Sequence, residues 1–213
     1  MGLIKNWKKD KPIKESIMLD MEEKKMLKTA LHFSHQLLTE CIILGDTVID
    51  ATMGNGHDTL FLSKLVGYTG HVYAFDIQDK AIESTQKKIT AQSIQNTTLI
   101  KDGHEYAVNH LPKNTNIKAA IFNLGYLPRG DKHITTTSDT TITAINQLLS
   151  ILEEGGRLIL VLYSGHEEGM AEKSDVLTFA QTLPQDMYSV LTYQFINQQN
   201  NPPSVLCIEK KRA

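Results

Sequence analysis

Cysteine is scarce: Cys41 and Cys207 are the only two in 213 residues, far apart and each in apolar surroundings. That argues against a disulfide framework and reads as two reduced, buried thiols of a cytoplasmic protein. Eight histidines are present, but no Cys/His spacing resembles a zinc site, so no metal is expected. No apolar run approaches the roughly 18 residues of a membrane span, and the N-terminus lacks the apolar core and cleavage site of a secretory signal. An excess of positive charge is missing too. With 22 basic and 24 acidic residues the net charge is −2, which excludes a basic nucleic-acid coat. An RNA partner would need a local basic patch. Arg129 with Lys132 and His133, Lys87 with Lys88, and Lys210-Lys211-Arg212 are candidates, each also readable as ordinary solvated charge.

What is present is a chain long enough, and apolar enough at 41% hydrophobic, to bury a single core without staples. Residues 1–25 are set apart by dense charge (KNWKKDKPIKE, then DMEEKK) and Pro12, and read as a charged N-terminal extension. A translation start at Met26 is the other reading. The domain proper spans 26–213. Leu27, Ala30, Leu31, Leu38, Cys41 and Ile42 fit one face of a helix that Gly45 ends. Strands and helices then alternate: TVIDAT (47–52) a strand, TLFLSKLV (59–66) a helix, HVYAF (71–75) a strand, about 79–92 a helix. TTLI (97–100) and AAIF (119–122) are strands three and four. Thr137 or Ser138 caps a helix with Ile142, Ile145, Leu148, Leu149 and Leu152 on one face, stopped by Gly155-Gly156. RLILVLY (157–163), a helix near 171–182, and the strands YSVLTYQFI and PSVLCIEK complete the chain. Short apolar strands alternating with helices predict an α/β, doubly wound, mainly parallel seven-stranded sheet. The last two strands have no helix between them, so the sheet carries an antiparallel closing strand.

In such sheets ligands lie at the carboxyl ends of the strands, near the switch point. After strand one comes DATMGNGHDT (50–59), where Gly54 and Gly56 let backbone approach a ligand and leave helix N–H groups free. A dinucleotide fingerprint would need a third glycine where Thr59 stands, so that match fails. Asp50, Asn55 and Asp58 belong to the same loop; Asp58 reads equally well as a helix N-cap. After strand two, Asp76 and Gln78 stand about 20 residues beyond the glycines, placed to accept from ribose hydroxyls. After strand three, Asp102, Gly103 and His104 are suited to an adenine edge. Three such groups at successive strand ends describe a site for an adenosine-containing ligand. The missing glycine and the antiparallel closing strand favour S-adenosylmethionine over a nicotinamide dinucleotide.

With DATMGNGHDT, AFDIQ, FNLGYLP and GHEEG on the page, residues from about Met26 to Lys211 resemble a class I S-adenosylmethionine-dependent methyltransferase of Rossmann-like fold. More closely, they are similar to the bacterial family labelled putative rRNA methylase, whose characterised members resemble tRNA 5-aminomethyl-2-thiouridine methyltransferases. The resemblance implies methylation of the 5-aminomethyl group of the wobble uridine, with a tRNA anticodon stem-loop as partner. The residues agree with amine chemistry. Asn123-Leu124-Gly125-Tyr126 is similar to the Asn-Pro-Pro-Tyr box of amino-directed methyltransferases, with Leu-Gly replacing Pro-Pro. Asn123 and a backbone carbonyl can accept both amine hydrogens, Gly125 permits the bend, and Tyr126 offers a face to an unstacked base. His166 is the candidate base, or a packing or RNA contact; Leu124, Arg129 and Thr136, with neighbouring Thr135 and Thr137, are candidate substrate contacts. Neither cysteine is at a motif-bearing strand end, which argues against carbon-5 methylation through a thiol nucleophile. The competing readings are an rRNA or small-amine methyltransferase, and a non-catalytic S-adenosylmethionine-binding module. A domain this small with no attached RNA-binding module suggests a homodimer.

Overall fold

The computed structural model describes residues 26–125, 136–165 and 167–212. The charged extension 1–25 lies outside them, as do Tyr126, Arg129, Lys132, His133, Thr135 and His166. The first described helix, α1 (Ala30–Cys41), starts where Thr29 caps it, its hydroxyl accepting from the His32 amide at 3.3 Å. Leu27 and Leu31 were expected on its buried face, but they are 76% and 40% exposed. Leu27 precedes the first turn, and Leu31 lies one residue round from the buried stripe of Ala30, Ser34, Leu37 and Leu38.

There follow β1 (Thr47–Asp50), α2 (His57–Val66), β2 (His71–Phe75), α3 (Asp79–Ala91) and β3 (Thr97–Ile100). A 3₁₀ segment (His104–His110) leads to β4 (Ile117–Leu124), α4 (Ser138–Ser150), β5 (Leu152–Leu162), α5 (Glu167–Gln181), β6 (Tyr188–Tyr193) and β7 (Ser204–Lys210). The seven strands order as β3-β2-β1-β4-β5-β7-β6, with β7 antiparallel to both its neighbours and the other pairings parallel. The expected sheet is therefore the one observed. Strand order reverses between β1 and β4, which opens a crevice at their carboxyl ends.

Two boundaries differ from the sequence reading. Strand β4 does not stop at Phe122: Asn123 pairs with Val161 and Leu124 with Leu162. Gly155-Gly156 do not end a helix either. Helix α4 is over at Ser150, Leu152 already pairs with Ile117, and the register resumes at Arg157–Ala119, so the two glycines sit in a bulge within β5.

Alternation along β4 decides which side chains meet. Phe122 and Leu124 point into the core cluster with Phe75, Ile145, Leu148 and Leu158. Ile121 points the other way, into a cluster with Leu38, Ile42, Leu62 and Val66 beneath α1 and α2. Asn123 shares that second face by the two-residue period of a strand. Arg157 fastens α1 to the sheet: it donates to the Leu37 carbonyl (2.8 Å), Glu40 (3.0 Å) and, across on β7, Glu209 (2.7 Å). Among the described residues no helix is long and apolar enough to cross a membrane. Leu38 is fully buried under α1. Its replacement by alanine is expected to cost about 3 kcal/mol, read as a lower urea midpoint with unchanged slope.

Candidate active site

Asp50 closes β1 with no solvent exposure. Thr59, in the first turns of α2, donates its hydroxyl to Oδ2 at 2.6 Å, and the Thr52 amide reaches Oδ1 at 3.3 Å. Burial drives its carboxyl from 3.8 to about 7, reinforced by the charge of Asp58, while the Thr59 hydrogen bond opposes the rise. Thr59, which in the sequence only spoiled a fingerprint, is thus a donor to the innermost carboxylate.

The loop after Asp50 is drawn tightly over α3. Gly56 has φ +76°, and a Cβ there would lie 2.6 Å from the Thr85 hydroxyl, so only glycine fits. The Gly54 amide donates to Asp76 Oδ2 at 3.0 Å, and the Gln78 amide donates to Oδ1 at 2.9 Å. Burial raises the Asp76 carboxyl despite these donors. Asn55 faces α3: its side-chain oxygen accepts from Ser84 at 3.4 Å and its carbonyl from Lys88 at 2.7 Å.

At the end of β3, Asp102 accepts from the Gly103 amide (2.8 Å) and from His110 (2.7 Å). The His110 contact holds its carboxyl below the usual range. His104 is buried, and its Nδ1 meets the Ala51 carbonyl at 3.3 Å. A carbonyl only accepts, so Nδ1 carries the proton and Nε2 is left as an acceptor. That buried Nε2 has no partner among the described residues, and burial favours the neutral ring.

Asn123 stands across the crevice. Its backbone amide donates to Thr52 Oγ1 (2.7 Å) and its side-chain Nδ2 to Asp58 Oδ2 (2.5 Å). Asp58 Oδ1 in turn accepts from His35 Nε2 of α1 at 2.6 Å. Gly56 is the helix N-cap, and Asp58 serves Asn123 and His35 in place of capping. Leu124 keeps its side chain in the core, 2% exposed, so only its backbone reaches the strand end, where its carbonyl accepts from the Tyr163 amide at a long 3.4 Å. Gly125, at φ +152°, brings the chain against Tyr163: a Cβ there would lie 3.6 Å from that of Tyr163. The Gly125 amide donates to Thr136 Oγ1 (3.2 Å), which donates onward to the buried Glu172 (2.7 Å); Thr141 holds its other oxygen at 2.7 Å. Tyr163 is 40% exposed, and its phenol is raised first by burial and then by the Asp58 charge.

Of the residues singled out in the sequence, Asp50, Gly54, Asp58, Asp76 and Asn123 are brought into one crevice, with His104 beside Ala51 at its edge. The sequence reading missed His35, Thr52, Tyr163 and Glu172. Thr52 lies within DATMGNGHDT and Tyr163 two residues before GHEEG, so both were findable by position; His35 and Glu172 sit on helices whose periodicity carries no such signal. Of the two thiols expected to be buried, Cys207 is and Cys41 is half-buried; burial pushes them up to about 11 for Cys41 and about 12 for Cys207, away from the reactive thiolate. No group of three or more metal-ligating side chains occurs among the described residues.

The glycine cradle, the Asp76 carboxylate and the unpartnered acceptor of His104 together fit an adenosine-containing cofactor: a hydroxyl acceptor at one end, an acceptor for an exocyclic amine at the other. A tRNA (mnm(5)s(2)U34)-methyltransferase of the Arabidopsis thaliana chloroplast is 37% identical over 193 residues, 86% of this chain and 70% of that protein. The crystal structure of a putative rRNA-methylase from Clostridium thermocellum matches with a TM-score of 0.85 at 45% identity, covering 87% of this chain and 99% of that one. A putative methyltransferase from Streptococcus mutans, crystallised in complex with SAH, matches with a TM-score of 0.80 at 43% identity over the same shares. Residues 72–209 match the model of the family described as "Putative rRNA methylase", and the chain belongs to that family.

Proposed function

We propose that the protein methylates the 5-aminomethyl group of the wobble (2-thio)uridine of tRNA, giving the 5-methylaminomethyl nucleoside. It is an S-adenosylmethionine-dependent methyltransferase; the cofactor, when bound, supplies an activated sulfonium methyl. The chain supplies position. Asp76 is the acceptor for the ribose hydroxyls, the Gly54–Gly56 turn lets backbone approach the cofactor, and His104 Nε2 accepts from the adenine amine.

The observation that carries the amine reading is the polarity of Asn123. Its Nδ2 is committed to Asp58, so its Oδ1, which no described side chain engages, remains an acceptor for an N–H. The Leu124 carbonyl, held by one long bond, keeps a second lone pair for the other hydrogen. Two acceptors at one strand end orient a nitrogen lone pair, and such alignment can contribute roughly 7–11 kcal/mol. An alkylamine must first lose a proton, which burial in the crevice favours. The reading of tRNA rests on the Arabidopsis relative. Tyr126, Arg129, Thr136 and His166 remain proposed substrate-side residues, the enzyme acting in the cytoplasm as a homodimer on the anticodon stem-loop.

Nucleoside mass analysis of tRNA carrying 5-aminomethyl-2-thiouridine, incubated with enzyme and S-adenosylmethionine, tests this. Wild type is expected to yield the methylaminomethyl nucleoside and Asn123→Ala about a hundredfold less, the scale for loss of one aligned polar group. No conversion despite cofactor binding would move the substrate to rRNA or a small amine.

Asp50 gives a second expectation. The native carboxyl holds its proton up to about 7, against 3.8 for the free group. Between those values the native state binds more protons than the unfolded chain, so stability falls as pH rises. Asp50→Asn is therefore expected to melt above wild type at pH 8, with the advantage shrinking as pH falls below about 7 and gone near pH 4. A cationic cofactor favours ionised Asp50, so wild-type affinity for S-adenosylmethionine should climb by up to about tenfold from pH 6 to pH 8. Calorimetric titration of Asp50→Asn should show no such climb.

A further inference from the structure

We propose that His35 and Asp58 form a positioning pair that decides which end of the Asn123 carboxamide faces the substrate, a role that rests on the amine reading above. The two ends of a carboxamide have nearly the same shape and opposite hydrogen-bonding character. Turned one way, Asn123 offers an acceptor to an amine; turned the other way, it offers a donor that repels it. A carboxylate in contact removes the choice, because it only accepts.

Asp58 is 7% exposed and touches two groups, Asn123 Nδ2 at 2.5 Å and His35 Nε2 at 2.6 Å. Both must donate. His35 is itself fixed: its ring stacks on Phe61 of α2, with centroids 4.0 Å apart and planes 10° from parallel. Its carbonyl accepts from the Thr39 hydroxyl at 2.8 Å. The three residues come from α1, α2 and β4, which converge on one face of the sheet. His35 matters to Asp58 as an N–H donor, since Asp58 has no lysine or arginine partner among the described residues. The other ionisable groups that sense Asp58 are Asp50 and the Tyr163 phenol. The hydrogen bonds to the Asp58 carboxylate from other side chains, among the described residues, are those of His35 and Asn123. Both members of the pair precede residue 72, where the family match begins. His35 acts through Asp58 and is a positioning residue, not a catalytic one.

The test reverses the polarity of the contact. In Asp58→Asn, one acceptor oxygen faces two donors, and with the His35 proton kept on Nε2 the conflict is relieved when Asn123 turns over. The kcat for the modified tRNA, read at saturating S-adenosylmethionine, is expected to fall about a hundredfold. The exchange D58N/N123D restores the pattern: residue 58 accepts from His35 and donates to residue 123, leaving an acceptor toward the substrate. It should recover at least about tenfold over D58N alone. His35→Leu should lower kcat about tenfold and His35→Gln, which keeps an N–H donor, should regain part of it.

A readout without turnover accompanies these. The Asn123 side-chain amide should give an NMR proton signal shifted downfield and protected from exchange in wild type, and lost in Asp58→Asn. Wild-type kcat in D58N, an exchange variant no better than D58N though folded and cofactor-binding, or an unaltered amide signal would each overturn the proposal. Absence of turnover by wild type, with the amide signal behaving as described, would instead count against the tRNA substrate.

Discussion

A buried carboxylate persists only where its neighbours donate to it, and much of this site follows from that constraint at Asp58. The carboxylate joins a helix outside the sheet's alternating units, α1, to the first turn of α2 and the end of β4. Neither contact is local in sequence: Asp58 is 23 residues from His35 and 65 from Asn123. Each element must therefore be seated before the contact exists. The apolar cluster of Leu38, Leu62 and Ile121 does the seating, and Arg157 keeps α1 from sliding by tying it to β5 and β7. Hydrophobic burial supplies the stability; the carboxylate supplies the orientation.

The crevice concentrates acids: Asp50, Asp58 and Asp76 all belong to it. Their costs differ with their donors. Asp76 has two backbone amides, yet burial still raises its carboxyl. Asp50, sealed from water with a hydroxyl and one long amide contact, is raised to about 7. A cluster like this weakens the fold at neutral pH and suits a cationic ligand, whose arrival would relieve the repulsion. On the proposed cofactor placement, fold and ligand pull in opposite directions at Asp50, a common arrangement where a carboxyl is tuned by burial.

The mainly parallel seven-stranded sheet and its antiparallel closure were legible because strands buried on both faces are written as short apolar runs, and crossovers are written between them. The strand ends were legible because glycines and acids have no packing reason to stand there. Legibility failed where two signals share one residue type. Gly155-Gly156 looks like a helix stop, but the same flexibility builds a bulge, and only the pairing of Leu152 with Ile117 tells them apart. Leu31 obeys the helical period approximately, and a difference of one position moved it into solvent. His35 was invisible for a different reason. Its partner is distant in sequence, and a histidine on an amphipathic helix announces nothing until the helix is docked.

Why a carboxamide at 123 and a carboxylate at 58, and not the reverse? On the proposed chemistry the substrate arrives as an ammonium and must react as an amine. A carboxylate in direct contact would stabilise the ammonium and raise its pKa, holding the proton where it blocks attack. A neutral carbonyl oxygen accepts the N–H with less of that penalty. Setting the negative charge one residue back, on Asp58, retains attraction for a cation while presenting a neutral acceptor to the nitrogen. The same logic explains why exchanging the two residues should restore only part of the rate: it recovers the orientation and moves the charge to the wrong end.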